Sequence, residues 1–460
     1  MEFRVRKNAR FRKLLGDAKL DFLAYALGSI ERILPHIETS RWKVAPAAEK
    51  GTRVTWLDST RRSLKVVLGL NIHDTDSPSH FSVSGIIERR KTPAGVGSIA
   101  RTIDARERAI CEQVVARIGQ VLRSGRPDDA DTIEAVRQIF DEGVIAAHLK
   151  KHHQVELDLR EILSSLRDLA EQSYENKSLT FGCLIDANDT SVPLENAKFP
   201  SDFFQLKKFR FFSDGFRTAY KISAKGGLSG LRGLSRASTS PRAAFYPEWC
   251  EDLTRESQGS RLGVALTKQG DILILDGGNL RFTYRLGRWQ YWNHSHLVDL
   301  LRNAARTQRV PPRSIPKVVR ALYRSALDVS FRRSGGLFVL LRNAQNRRKI
   351  VRSGDAIDDS RRPTVEKSFD RSLPTRMVQA LSRSIVAELA AVDGAVVLNN
   401  RGEILAYGAV LDPKKKGRIT RTEGSRTKAA VGASNYGLAV KVSSDGDITI
   451  YLNGSKFIRV

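Results

Sequence analysis

The sequence predicts a protein of the α+β class, bordering on α/β: an N-terminal α+β domain followed by a mixed sheet flanked by helices. Three observations predict it. Short apolar runs with a two-residue period crowd residues 53–90, apolar positions recur at helical spacing over 110–169, and the last third alternates strand-like runs with a helical stretch.

The first strands are Val54-Thr55-Trp56-Leu57, then Leu64-Lys65-Val66-Val67-Leu68-Gly69-Leu70, then Phe81-Ser82-Val83-Ser84-Gly85-Ile86-Ile87. β-Branched and aromatic residues at these positions suit a pleated, half-buried surface. Ile110, Val114, Val115, Ile118, Val121 and Leu122 then keep the helical period up to a break at 124–128, after which Thr132 is placed to cap a second helix. The helical reading continues over 145–175, where Leu157, Leu159, Ile162, Leu163, Leu166 and Leu169 form an apolar stripe. His36, His73, His80 and the His152-His153 pair lack ligand-like spacing, so satisfied or exposed histidines are expected there rather than a metal site.

A second region opens on the strand-like Leu179-Thr180-Phe181-Gly182-Cys183-Leu184-Ile185. Residues 225–242, rich in Gly, Ser and Arg, are expected to form a mobile loop. Over 280–289 aromatics alternate with arginines, which suits stacking on a base beside a phosphate and, more commonly, an amphipathic strand. His294 and His296 have no Cys or carboxylate neighbours and mark a helix cap region.

In the third region Gly336-Leu337-Phe338-Val339-Leu340-Leu341 reads as a buried strand, 343–346 as a turn and Lys349-Ile350-Val351 as its return. Leu373, Met377, Leu381, Ile385, Val386 and Leu389 keep a helical period, with Ser372 or Thr375 as cap. Ala395-Val396-Val397-Leu398 and Glu403-Ile404-Leu405-Ala406 follow as strands hinged at Asn399-Asn400-Arg401-Gly402. A last hairpin sets Leu438-Ala439-Val440-Lys441-Val442 against Ile448-Thr449-Ile450-Tyr451-Leu452. Length supports about three domains, drawn at 1–176, 177–305 and 318–460 with the Pro-rich basic stretch 309–317 before the last.

Lys and Arg number 77 against 50 Asp and Glu, a formal net charge of +27 and a pI near 10.2. An anionic partner is expected: nucleic acid, an anionic membrane surface or a phosphorylated small molecule. Cys111, Cys183 and Cys250 lie far apart without CxxC spacing, which supports neither a disulfide framework nor a zinc ribbon and fits a reducing cytosol. No apolar run of about 18 residues occurs, and residues 1–13 lack the apolar core of a signal peptide, so a cytoplasmic protein without a membrane partner is expected.

Three segments carry the chemistry. Asp393-Gly394-Ala395-Val396-Val397 puts a carboxylate beside glycine at the start of a strand, where it can hold a divalent metal or approach a ribose and phosphate. Gly424-Ser425-Arg426-Thr427-Lys428-Ala429-Ala430 places two cations at a helix start, where backbone N–H groups, helix dipole and side-chain charge address one anion. The third is the closing hairpin, 440–452. In this order they resemble the diadenylate cyclase domain found at the N-terminus of the DNA-integrity scanning protein and in related membrane cyclases. They match its Asp-Gly-Ala signature, its Gly-Thr-Arg-His-Arg-Ala-Ala loop and its final hairpin.

The resemblance implies a nucleotide site of Asp393, Gly394, Ala395, Gly424, Ser425, Arg426, Thr427 and Lys428, with Mg2+ or Mn2+ accompanying the nucleotide at Asp393. The family's central His is Thr427 here, its second Arg is Lys428, and the metal-binding Glu of its hairpin is replaced by Ser444 or Asp445. Losing a metal carboxylate and the planar grip of Arg on phosphate is expected to cost turnover before it costs binding. In layout the chain over 179–460 resembles the cyclase-derived sensor domains of bacterial conflict systems termed DACNV. The expected function is therefore a sensor of ATP or a cyclic dinucleotide. Two alternatives stay open: a working cyclase joining two ATP molecules across a pair of facing domains, hence a homo-oligomer, and a nucleic-acid-binding protein.

An internal repeat is also open, against the rival that two unrelated hairpins share a turn. Asp214-Gly215, Gly226-Gly227 and the Gly270-Asp271-Ile272 turn echo Asp393-Gly394 and Gly446-Asp447-Ile448 in order. Asp214, Gly215 and Arg217 are a second candidate site.

Overall fold

The computed structural model describes residues 9–46, 52–57, 59–73, 78–90, 102–123, 130–174, 177–191, 199–205, 212–234, 244–414 and 424–460. The chain groups into two compact units: residues 1–90, 100–244 and 250–292 in unit 1, and 91–99, 245–249 and 293–460 in unit 2. The break at 124–128, residues 235–242, Lys415, Lys416 and the side chains of His73 and His80 lie outside the described residues.

Unit 1 runs α1 (Ala9–Ile33), β1 (Ile37–Pro46), β2 (Arg53–Trp56), β3 (Ser63–His73), β4 (Pro78–Arg89), α2 (Ala105–Arg123), α3 (Ala130–His153), α4 (Leu159–Ala170), β5 (Ser173–Tyr174), β6 (Lys177–Ser178), β7 (Phe181–Asp186), α5 (Ser201–Gln205), β8 (Thr218–Ser223), β9 (Leu228–Gly233), α6 (Glu251–Glu256), β10 (Arg261–Leu266), β11 (Ile272–Asp276), β12 (Asn279–Arg285) and β13 (Arg288–Tyr291). β1 to β4 form an antiparallel sheet in the order β1-β4-β3-β2. A second sheet has the order β13-β12-β11-β10-β7-β8-β9. One apolar core, from Phe22 through Leu64, Ile110 and Leu166 to Ile274, joins both sheets and the helices.

The apolar stripe of 145–175 divides in two. α3 ends at His153, and Asp158 caps α4 by accepting from the N–H groups of Arg160 and Glu161. α3 starts at Ala130 rather than at a Thr132 cap. Helix α1 and strand β1 precede the elements read from periodicity, and part of the expected loop at 225–242 is the strand β9, paired with β8. The aromatic–arginine run folds as the β12–β13 hairpin with Phe282 and Trp289 buried, the amphipathic-strand outcome.

Unit 2 contains α7 (His294–Thr307), α8 (Ile315–Arg332), β14 (Gly336–Leu341), α9 (Thr364–Ser372), α10 (Arg383–Ala391), β15 (Ala395–Leu398), β16 (Ile404–Ala409), α11 (Ser425–Ala433), β17 (Gly437–Val442), β18 (Ile448–Leu452) and β19 (Ser455–Arg459). Asn293 caps α7 by accepting the N–H of His296, as the cap reading of that segment anticipates. The Pro-rich stretch 309–317 joins α7 to α8 inside this unit.

Two expectations fail locally. Val351 bridges Leu411 instead of returning against β14, whose six backbone positions are buried between β15 and β17. The helix expected over 373–389 is interrupted: Pro374 disfavours helical backbone at Leu373, and Ser382 caps a fresh helix, α10, by accepting the N–H of Ile385.

The unit 2 sheet has the order β16-β15-β14-β17-β18-β19. Its connections match those of the second sheet of unit 1. β7 and β14 are each parallel to the next strand in their sheets, β8 and β15, and antiparallel to β10 and β17. The β10–β11 and β17–β18 turns also share their hydrogen bonds: Thr267 and Ser443 N–H donate to the carbonyls of Asp271 and Asp447, and Gly270 and Gly446 N–H to those of Thr267 and Ser443.

Candidate phosphate-binding site

The unit 2 site is built where β14 and β15 begin and α11 begins. Asp393 stands in the short link between α10 and β15, its carboxylate fully in solvent. Arg426, in the first turn of α11, brings Nη2 to 3.7 Å from Asp393 Oδ1. An exposed pair at this distance adds little to stability, so the geometry leaves the guanidinium available to a stronger anion.

One glycine makes this approach feasible, and a second shapes the strand beside it. Gly335, at φ +69°, lies under Arg426, and a Cβ there would come within 2.4 Å of Nη1. Gly394, at φ +117°, lies against Gly408, whose carbonyl carbon is 2.4 Å from where a Cβ would sit. Close approach of the β15 and β16 backbones explains Gly394, where the sequence reading assigned the cleared space to a ligand. Ala395 is buried in the sheet core and pairs with Ala409.

α11 starts at Ser425 after Gly424, and among the described residues no side chain caps it. The first N–H groups of a helix have no partner within it, and in α11 that turn carries Ser425, Arg426 and Lys428. Thr427, in the position of the family's His, accepts a hydrogen bond from Lys441 Nζ at 2.9 Å. Lys441 comes from β17, which packs against α11, and adds a further cation beside the helix start. In the sequence Lys441 is a residue of the closing hairpin and not part of the expected site. Its alternation within the last hairpin is the signal that would have placed it on the α11 face. Ser444 and Asp445 are exposed at the β17–β18 turn, and Asp447 of that turn is paired with Arg459.

The second candidate site has a different make-up. Asp214 accepts N–H groups from Phe216, Arg217 and Thr218 at 2.8, 2.6 and 3.0 Å. Burial raises its pKa, but these donors outweigh burial and leave it lowered. The carboxylate is thus occupied in shaping its own turn. Matching the ladders Val264–Cys183–Tyr220 and Val440–Phe338–Val396 places Arg217, not Asp214, at the position of Asp393. Gly215 serves packing: a Cβ on Gly182 would meet its Cα at 2.2 Å. α6 opens with Glu251 and Asp252, where α11 carries Arg426 and Lys428.

In the basic run Arg347-Arg348-Lys349, which like the run 414–416 would suit nucleic acid, Arg347 is paired with Asp358, and Lys349 Nζ lies 6.0 Å from the Tyr436 ring centroid. His152 and His153, separated from any ligand in sequence, meet Asp276 at the end of β11. Among the described residues no helix is long and apolar enough to cross a membrane.

No protein-family model matches the chain, and no curated protein matches it in sequence. Solved structures that match include a hypothetical membrane spanning protein from Bacillus cereus, at 19% identity and a TM-score of 0.25, over 36% of this chain and 74% of that one. DacA from Staphylococcus aureus, as a double mutant, matches at 19% identity and a TM-score of 0.21, over 31% of this chain and 87% of its own.

Proposed function

We propose that unit 2 is a nucleotide-binding sensor domain that takes ATP or a cyclic dinucleotide by its phosphates. The observation that carries this reading is the meeting of Arg426 with Asp393 at 3.7 Å beside the start of α11. A phosphate there receives backbone N–H groups, the positive end of the helix dipole and the charges of Arg426, Lys428 and Lys441 together. Asp393 then faces a ribose hydroxyl or a cation that travels with the nucleotide. A single carboxylate is too few for a resident ion, and enough for Mg2+ or Mn2+ that brings phosphate ligands with it.

Binding without turnover is the stronger reading because the cradle lacks what phosphoryl transfer demands. Thr427 is engaged by Lys441, and Lys428 supplies a point charge where the family has a two-point grip. The shared strand order supports a duplication in which the sheet of unit 1 is the degenerate copy, since Arg217, Glu251 and Asp252 reverse the charges of the site.

Calorimetric titration of the full chain with ATP, cyclic di-AMP and cyclic di-GMP tests this. Micromolar binding of one of them, reduced by Arg426→Ala, is expected. Incubation with ATP and Mg2+ or Mn2+ should leave the nucleotide intact, and a cyclic product that Asp393→Asn abolishes would replace the sensor by the cyclase. Binding of duplex DNA that falls steeply with salt, with no binding of nucleotides, would replace it by a nucleic-acid module.

A further inference from the structure

We propose that His152, His153 and Asp276 of unit 1 form a binding site for a divalent transition-metal ion of the zinc class. The three residues come from the C-terminal end of α3 and the last position of β11, and their ligand atoms lie within 4.8 Å of one another. His153 Nε2 is 3.4 Å from Asp276 Oδ1, and His152 Nε2 is 3.9 Å from Asp276 Oδ2. In a tetrahedral site with bonds of about 2.0–2.1 Å, neighbouring donors are about 3.3 Å apart. The His153–Oδ1 edge is already at that spacing, and with one oxygen of Asp276 as ligand the other edges lie within 4.8 Å.

A second observation points the same way. His153 is buried, with its side chain 4% exposed, and its Nε2 meets only the Asp276 carboxylate, at 3.4 Å and outside good hydrogen-bond alignment, among the described residues. A buried ring nitrogen without a well-aligned partner is costly, and here it faces a carboxylate and a second imidazole. The rings are also held in place. His148 stacks on His152 at 6.2 Å with planes 6° apart, and its other contact is the edge of Phe282 at 5.7 Å. Two imidazoles and a carboxylate suit Zn2+ and its neighbours better than Mg2+ or Ca2+, and they leave a coordination position for water or a small ligand.

Arg106 holds the seat when no metal is bound. Its Nη1 lies 2.5 Å from Asp276 Oδ2 and its Nη2 3.3 Å from His152 Nε2. The side chain starts from the first turn of α2 and is 31% exposed, so it can leave toward solvent as an ion enters. The guanidinium takes the His152 Nε2 lone pair that a metal would need, and it repels a dication at the same carboxylate. Arg106 is therefore a competitor of the metal.

The test is titration of the metal-free full chain with Zn2+ against a chromophoric chelator, with Co2+ absorption reporting coordination. The expected result is one ion per chain and a visible Co2+ band of low-coordinate type. Affinity should fall about tenfold or more in His152→Ala and in His153→Ala, and rise in Arg106→Ala. His152 is half-exposed, so its variant separates loss of a ligand from loss of the fold. Absence of stoichiometric uptake by the parent chain, or equal affinity in His152→Ala, overturns the proposal.

Discussion

Arg426 illustrates how its surroundings can leave a single side chain open to an anion. Its pair with Asp393 is long and wet, and Gly335 beneath it offers no side chain to compete for the guanidinium. Arg426→Ala should weaken nucleotide binding about tenfold or more, the worth of one charge-assisted hydrogen bond, and leave the melting temperature unchanged. Titration calorimetry beside a thermal melt checks both. Glu142 is the opposite case. Its side chain is buried, one oxygen receives Arg167 Nη1 at 3.3 Å, and the other has no partner among the described residues. Burial, opposed by Arg167, pushes its pKa from an ordinary 4.5 up to about 7. The folded state thus keeps a proton that the unfolded chain has released. The stability this contributes is complete below about pH 4.5 and is lost as the pH rises through about 7. Urea unfolding between pH 4.5 and 8 should show that decline in the parent and a flatter profile in Glu142→Gln.

Among the elements, the motif segments were legible because their signals are local. Asp393-Gly394 before a strand, Gly424 before a helix and the 443–447 turn each depend on a few neighbouring residues, and each is found where expected. The failures are instructive for the same reason. The period of Leu373 to Leu389 is helical, yet Pro374 and the Ser382 cap govern the local backbone and split it. The stripe of 157–169 was sound, but its start depends on Asp158, whose carboxylate takes two N–H groups of α4. Asp158→Ala should cost about 1 kcal/mol, read as a lower unfolding midpoint with an unchanged denaturant slope. Gly394→Val asks for a side chain where Gly408 already lies and for a backbone at φ +117°. Unit 2 should lose about 2 kcal/mol or more, and nucleotide binding should fall with it, since β15 carries the link that holds Asp393.

The whole molecule combines a net charge of +27 with two compact units, so each proposed ligand can be mapped to its own unit. Hydrogen exchange with and without nucleotide should show new protection at the start of α11 and the link before β15, whereas Zn2+ should protect the end of α3 and β11. Protection by nucleotide at the start of α6 instead would contradict the degenerate-copy reading. Composition, hydrophobic period and turn chemistry act over a few residues, so the class of the fold, most strands of both later sheets and the Arg426-Lys428 motif could be read along the chain. Folding alone settled which distant groups meet: Lys441 on Thr427, Arg217 in the register of Asp393, His153 against Asp276. Such encounters depend on strand order and on closing loops of up to more than a hundred residues, and no local periodicity records that choice.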